Sequence, residues 1–192
     1  MAARTDLPKY TVPSLTPEEG AKVAGILQER LHALNDLQLT LKHIHWNVVG
    51  PHFIAVHEMI DPQVDAVRAM VDAIAERIAT LGVSPLGTPG AIVAGRTWED
   101  YSLGRASTIA HLGALDEVYV GVITDHRAAA EATEELDDVT NDLLIGHLHD
   151  LELFHWFVRA HLESSGGELS TSGEGTETGA ASKAEDAAKR QP

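Results

Sequence analysis

The sequence predicts an all-α fold, a bundle of four long helices with one long crossover between the second and the third. Three observations point there. Apolar residues recur at spacings of three and four over four separate stretches, residues 82 to 104 form a loop-rich connection, and no stretch of comparable length alternates as a strand would.

Thr16-Pro17-Glu18-Glu19 opens the first helix, with a capping threonine, proline at the first helical position and glutamate at the third. Val23, Leu27, Leu31, Leu34, Leu37, Leu41 and Ile44 carry one stripe to about Asn47. Gly50-Pro51 punctuates the pattern as a turn. The second helix follows the stripe Val56, Ile60, Val64, Val67, Val71, Ile74 and Ile78 to Leu81, where Gly82 stops it. Pro62 lies inside and removes a backbone hydrogen bond, so a kink or a later start is expected. The crossover is expected to carry one short helix near Trp98 to Tyr101, and its length lets the third helix run parallel to the second. Ile109, Leu112, Leu115, Tyr119, Val122 and Ile123 mark the third helix, ending near Glu134; Val139, Leu143, Leu144, Leu148, Leu151, Phe154, Val158 and Leu162 mark the fourth. The bundle thus spans 16–163, behind an N-terminal arm at 1–15 and ahead of a tail at 164–192. Both ends are expected to be disordered, the tail because it is rich in Gly, Ser, Thr, Ala and Glu with almost no large apolar residue.

At 192 residues the chain makes one ordinary domain. It has no cysteine, which excludes disulfides, thiolate metal sites and thiol catalysis. Any metal must sit on His, Asp and Glu, ligands that suit iron, manganese or zinc. A formal charge of −15 argues against a generally basic nucleic-acid surface and fits collecting cations. No apolar run approaches the roughly 18 residues of a membrane span, and "MAARTDLPKY" lacks the hydrophobic region of a signal peptide. A soluble, cytoplasmic protein is expected.

The chemistry concentrates between His43 and Arg77. Histidines stand at 43, 45, 52 and 57, and the second helix sets out a polar row at His57, Asp61, Asp65, Arg68, Asp72 and Glu76. A solvated face is the bland reading, but Met59, Ala66, Ala69, Met70 and Ala73 form a second apolar strip beyond that row, which suits a core face plus a subunit interface. His45 and His57 come level across the hairpin. Asp72 lies fifteen residues beyond His57, about 22 Å along a helix at ~1.5 Å per residue, while metal ligands reach only ~2 Å. Either the histidines and the carboxylates serve different sites, or a second copy of the chain completes one site across a two-fold axis.

"HWNVVGPHFIAVHEMID" followed by "DAIAE" resembles the Dps family, the small ferritins of bacteria, and the likeness extends over residues 17 to 163. It rests on His45-Trp46, Gly50, Phe53, His57-Glu58-Met59, Asp61, Asp72 and Glu76. The resemblance implies a ferritin-like bundle, a hollow homo-dodecamer, and oxidation of Fe(II) by hydrogen peroxide with the ferric mineral kept inside. It implies that iron is held by His45, His57 and Asp61 of one subunit and Asp72 and Glu76 of its two-fold mate, with Trp46 beside the site. It further implies that "DDVTND" lines a three-fold entry pore, where Asp138 and Asp142, with Glu134 nearby, attract Fe(II) by a focused negative field; capping of the fourth helix is the plainer account of such acids.

DNA is the weaker implied partner. Residues 164 to 192 set Lys183, Lys189 and Arg190 against Glu168, Glu174, Glu177, Glu185 and Asp186, so any DNA contact, and with it an association with the nucleoid, is weak. Two Glu-x-x-His motifs, Glu29 to His32 and Glu152 to His155, suggest an iron site within the bundle, but Glu29 and His32 lie off the apolar stripe. His147, His149, His155 and His161 are expected at a surface or interface, and His43 and His52 as packing residues. Two rival readings remain: a DNA-compacting protein with incidental metal binding, and a non-catalytic helical assembly protein.

Overall fold

The protein is described from a computed structural model, which covers residues 7–190. Four long helices make the bundle: α1 (Pro17–Asn47), α2 (Phe53–Thr80), α4 (Thr108–Thr133) and α5 (Asp138–Leu162). A short α3 (Pro89–Gly95) lies in the crossover, and α6 (Glu177–Ala188) follows the bundle. Two residue pairs, β1 (Val48–Val49) and β2 (Ala106–Ser107), join in parallel and tie the α1–α2 turn to the start of α4. Among the described residues no helix is long and apolar enough to cross a membrane.

The start of α1 follows from its sequence. The Thr16 hydroxyl accepts from the Glu19 amide at 3.2 Å, and the Glu19 carboxylate accepts from the Thr16 amide at 2.8 Å, a reciprocal cap. The leucine stripe of α1 is fully buried from Leu27 to Ile44 against Ile60, Ile74 and Ile78 of α2 and Leu112, Leu115 and Tyr119 of α4. Tyr119 solves its polar tip by donating to Gln63 at 2.6 Å inside the core. Helix α2 runs unbroken through Pro62. The proline sits on an exposed face, where water can satisfy the carbonyl it leaves unbonded.

The crossover helix is not at Trp98 to Tyr101 but at Pro89–Gly95, where Thr88 and Pro89 supply a start. Trp98 to Tyr101 is instead tied down by side chains: the Trp98 indole donates to Asp36 at 2.7 Å, and Arg96 pairs with Asp36 at 3.6 Å and Asp100 at 2.5 Å.

The ends are corrected as well. Residues 7–15 pack against the bundle, with Pro8 buried and Val12 and Leu15 on the core. Gly82, at φ +87°, lets Tyr10 cross: a Cβ there would lie 2.2 Å from the Tyr10 carbonyl. The expected disordered tail folds back over α4. Ala180, Ala181 and Ala184 of α6 are buried against Ala110, Gly113 and Ala114, so close that a Cβ on Gly113 would meet the Ala180 carbonyl at 2.6 Å. Thr171 donates to Asp116 at 2.6 Å, while Ser102 and Ser107 reach Glu177 and Glu185 at 2.7 Å each. Small side chains bury little area singly, but they let two helices approach until backbone packs on backbone. Residues 1–6 of the arm and 191–192 of the tail fall outside the described residues.

Candidate metal centre

The α1–α2 hairpin brings His45, near the end of α1, level with His57, on the second turn of α2. Their rings stack with centroids 3.6 Å apart at 23°. His45 Nδ1 lies 3.1 Å from the His57 carbonyl, and His57 Nδ1 lies 3.0 Å from the His45 carbonyl. A carbonyl only accepts, so both Nδ1 atoms carry the proton and donate. Neither Nε2 atom has a protein partner, and in the neutral ring each carries the lone pair with which imidazole binds a metal.

Asp61, one turn beyond His57, joins them. Its Oδ1 lies 3.2 Å from His45 Nδ1 and 2.7 Å from Lys42 Nζ. The Lys42 hydrogen bond, with His45 beside it, holds the Asp61 carboxyl below its ordinary range. Both contacts use Oδ1, leaving Oδ2 without a protein partner. Lys42 was not singled out from the sequence; its position three residues before His45 places it on the same helix face, which is the signal that was available.

Asp72 and Glu76 do not join this group. They stand exposed on α2, four turns and more beyond His57, about 22 Å at ~1.5 Å per residue. Among the described residues of one chain no three His, Asp or Glu side chains converge as a metal site. Within one chain, two histidines and a carboxylate keep ligand atoms free, without a closed coordination shell. Trp46 is 72% exposed.

Glu76 has other neighbours. It lines a shallow depression of about 380 Å³ with Asp142, Arg77 and Thr80, where the end of α2 meets the start of α5. Asp138 and Glu134 are exposed at the same end. Asp137 takes the N-cap position of α5, and its carboxylate is engaged by Arg77 at 2.5 Å and by the Thr140 hydroxyl. Those bonds hold the Asp137 carboxyl down despite burial. The Arg77 charge is thereby spent on Asp137, and Asp138 and Asp142 keep theirs.

The remaining histidines are sorted by their partners. His43 packs, bonding the Leu103 carbonyl at 2.8 Å, and His52 is exposed at φ +63° ahead of α2. On α5, His149 and His161 are exposed as expected, but His147 and His155 are buried. His155 bonds Asp116 at 2.6 Å, which also holds Thr171 of the tail. His147 lies against His126 of α4, ring centroids 5.7 Å apart. Burial lowers His126 to about 3 and His147 to about 4, so both stay neutral. Glu152 pairs with Arg127 and Glu29 faces solvent, so the two Glu-x-x-His motifs build no site within the bundle.

A ferritin-like domain model matches residues 24–165. The DNA protection during starvation protein of Mycolicibacterium smegmatis is 61% identical over 175 residues, 91% of this chain and 96% of that protein. The fine tangled pili major subunit of Haemophilus ducreyi is 50% identical over 160 residues, 83% of this chain and 85% of that protein. The structure of DpsA14 from Streptomyces coelicolor superimposes with a TM-score of 0.85 at 66% identity, covering 86% of this chain and 98% of that one. The chain therefore belongs to the ferritin-like family and, within it, to the Dps proteins.

Proposed function

We propose that the protein oxidises and stores iron, protecting DNA by removing Fe(II) and peroxide together. The observation that carries this reading is the pair of imidazoles locked with Nδ1–H on a carbonyl and Nε2 free, beside a carboxylate held ionised. Fe(II) is the substrate. His45 and His57 offer Nε2 and Asp61 offers Oδ2, while Asp72 and Glu76 of a two-fold-related copy supply the carboxylates that one chain holds about 22 Å away. Two Fe(II) each give up one electron, and one hydrogen peroxide takes both electrons and two protons to leave as two waters. Paired transfer avoids the hydroxyl radical that a single electron would release.

Twelve copies in a closed shell give the product a cavity to fill. Asp138 and Asp142, with Glu134 nearby, are the entry acids, and the depression shared by Asp142 and Glu76 supports a short passage from entry to oxidation site. Exposed apolar side chains on the hairpin, Leu39, Trp46 and Ile54, fit burial between copies. A cytoplasmic protein near the nucleoid follows, with DNA held weakly at best.

A second reading, a structural subunit without catalysis, draws on the pilus-subunit relative. Iron loading followed by electron microscopy separates the two. The expected result is a cage of about twelve chains with an electron-dense centre and two Fe(II) consumed per peroxide. Fibres or empty shells with no Fe(II) oxidation would overturn the proposal.

A further inference from the structure

A cavity of about 500 Å³ opens between α1, α4, the crossover segment at 98–102 and the turn that leads into α6. Gly175 to Thr178 of the C-terminal segment, which folds back over the bundle, form one wall. Its floor is apolar, from Leu37, Val118 and Val122, and Trp98 and Tyr101 stand at the side. This volume lies in the range of small-molecule sites.

The rim is acidic throughout. Six carboxylates line the cavity and no lysine or arginine does. Three are balanced from behind: Asp36 and Asp100 by Arg96, and Asp125 by Arg30 at 3.6 Å. Glu117 of α4, Glu99 of the crossover and Glu177 of the tail form no salt bridge among the described residues; Glu99 lies within electrostatic reach of Arg96, and Glu177 accepts from Ser102. Partial burial, with Asp116 and Glu174 nearby, raises the Glu117 carboxyl, the mark of a charge set down without its counter-ion.

A bare metal ion does not answer this arrangement. Its ligands must converge within ~2 Å of one point, and among the described residues no three acids or histidines do so. Three carboxylates without a salt bridge, on three separate elements around an apolar floor, fit a cation whose charges are spread along methylenes. We infer that this cavity binds a linear aliphatic polyamine, its methylenes on the Leu37–Val118–Val122 floor and its ammonium groups on Glu117, Glu99 and Glu177. Because the tail supplies one wall and one carboxylate, the ligand also holds the tail closed.

Titration calorimetry of the assembled full-length protein with spermidine tests this, using two variants. Gly121→Leu fills the cavity without changing charge, and a Cβ at Gly121 meets nothing within 4 Å, so the helix accepts it. Glu117→Gln removes the unpaired charge and keeps the shape. Saturable binding of about one spermidine per chain, weakened at least about tenfold by each variant, is expected; Fe(II) oxidation should be unchanged, and spermidine should slow proteolysis of residues 164–190 in the parent only. Absent binding, or binding equal in parent and Gly121→Leu, would overturn the site and leave diffuse counter-ion attraction to an acidic protein.

Discussion

Two histidine pairs in this molecule are opposite in chemistry. His45 and His57 stack across the α1–α2 hairpin; His126 and His147 lie together between α4 and α5. Burial separates them only in part: His45 and His147 are each 8% exposed, while His126 is fully buried and His57 half-buried. Partners separate them fully. The first pair ties both Nδ1 atoms to carbonyls and leaves Nε2 free. In the second, both nitrogens of His126 and Nδ1 of His147 are buried with no partner, and burial holds the rings neutral. A histidine becomes a ligand when its second nitrogen is oriented by the fold, and a liability when neither is.

The largest consequence of that contrast is in catalysis. His45→Ala or His57→Ala should lower Fe(II) oxidation by about 100-fold or more, since each removes a proposed ligand where even supporting partners matter tenfold or more. Denaturant unfolding should change by only about 1 kcal/mol. Stopped-flow absorbance with peroxide reads the first and urea titration the second; normal oxidation in either variant would erase the distinction between the pairs.

The second pair should show itself in acid. Its imidazoles are neutral in the fold and protonate near pH 6.5 once unfolded. Their stabilising share is therefore complete above that pH and is lost as pH falls towards about 4 for His147 and about 3 for His126. The slope is about 1.4 kcal/mol per pH unit for each ring. The double variant His126→Leu with His147→Leu should have a flatter acid limb, and it should surpass the parent in urea at pH 5 while oxidising iron normally at pH 7. Parallel pH profiles would contradict the assignment.

A third mode, histidine paired with a carboxylate, has the smallest effect. Thr171→Val removes one of the two hydrogen bonds on buried Asp116 and leaves His155 in place. The cost should be about 1.5–3 kcal/mol, the range for a hydrogen bond to a charged group, read as faster proteolysis after residue 163 without a change in oxidation. An unchanged cleavage rate would mean that the bond to Asp116 does not help to hold the tail.

What could be read in advance follows the same physics. The four long helices were legible because each repeats large apolar residues with a strong period, and the Thr16 cap located α1 to the residue. The tail was not legible. Its contacts use alanines against Gly113, and a small-residue crossing leaves no hydrophobic signal in the sequence. The crossover helix was misplaced because Trp98 looks like a helical anchor, while its indole is held by Asp36, a residue 62 positions away. For the site, spacing along α2 was enough to bring His45 to His57 and to keep Asp72 and Glu76 apart. Lys42 on Asp61, and the tautomer that frees Nε2, depend on how two helices meet, and only coordinates supply that.

The central claim is that one chain holds half a site. Take one variant with His45→Ala and His57→Ala and another with Asp72→Ala and Glu76→Ala, each deficient in Fe(II) oxidation. Unfold the two together in equal amounts, reassemble them, and measure oxidation once mass spectrometry has verified mixing. Random pairing should rebuild about one quarter of the sites, each with histidines from one chain and carboxylates from its mate. A mixed assembly as inactive as its parents would contradict the shared site.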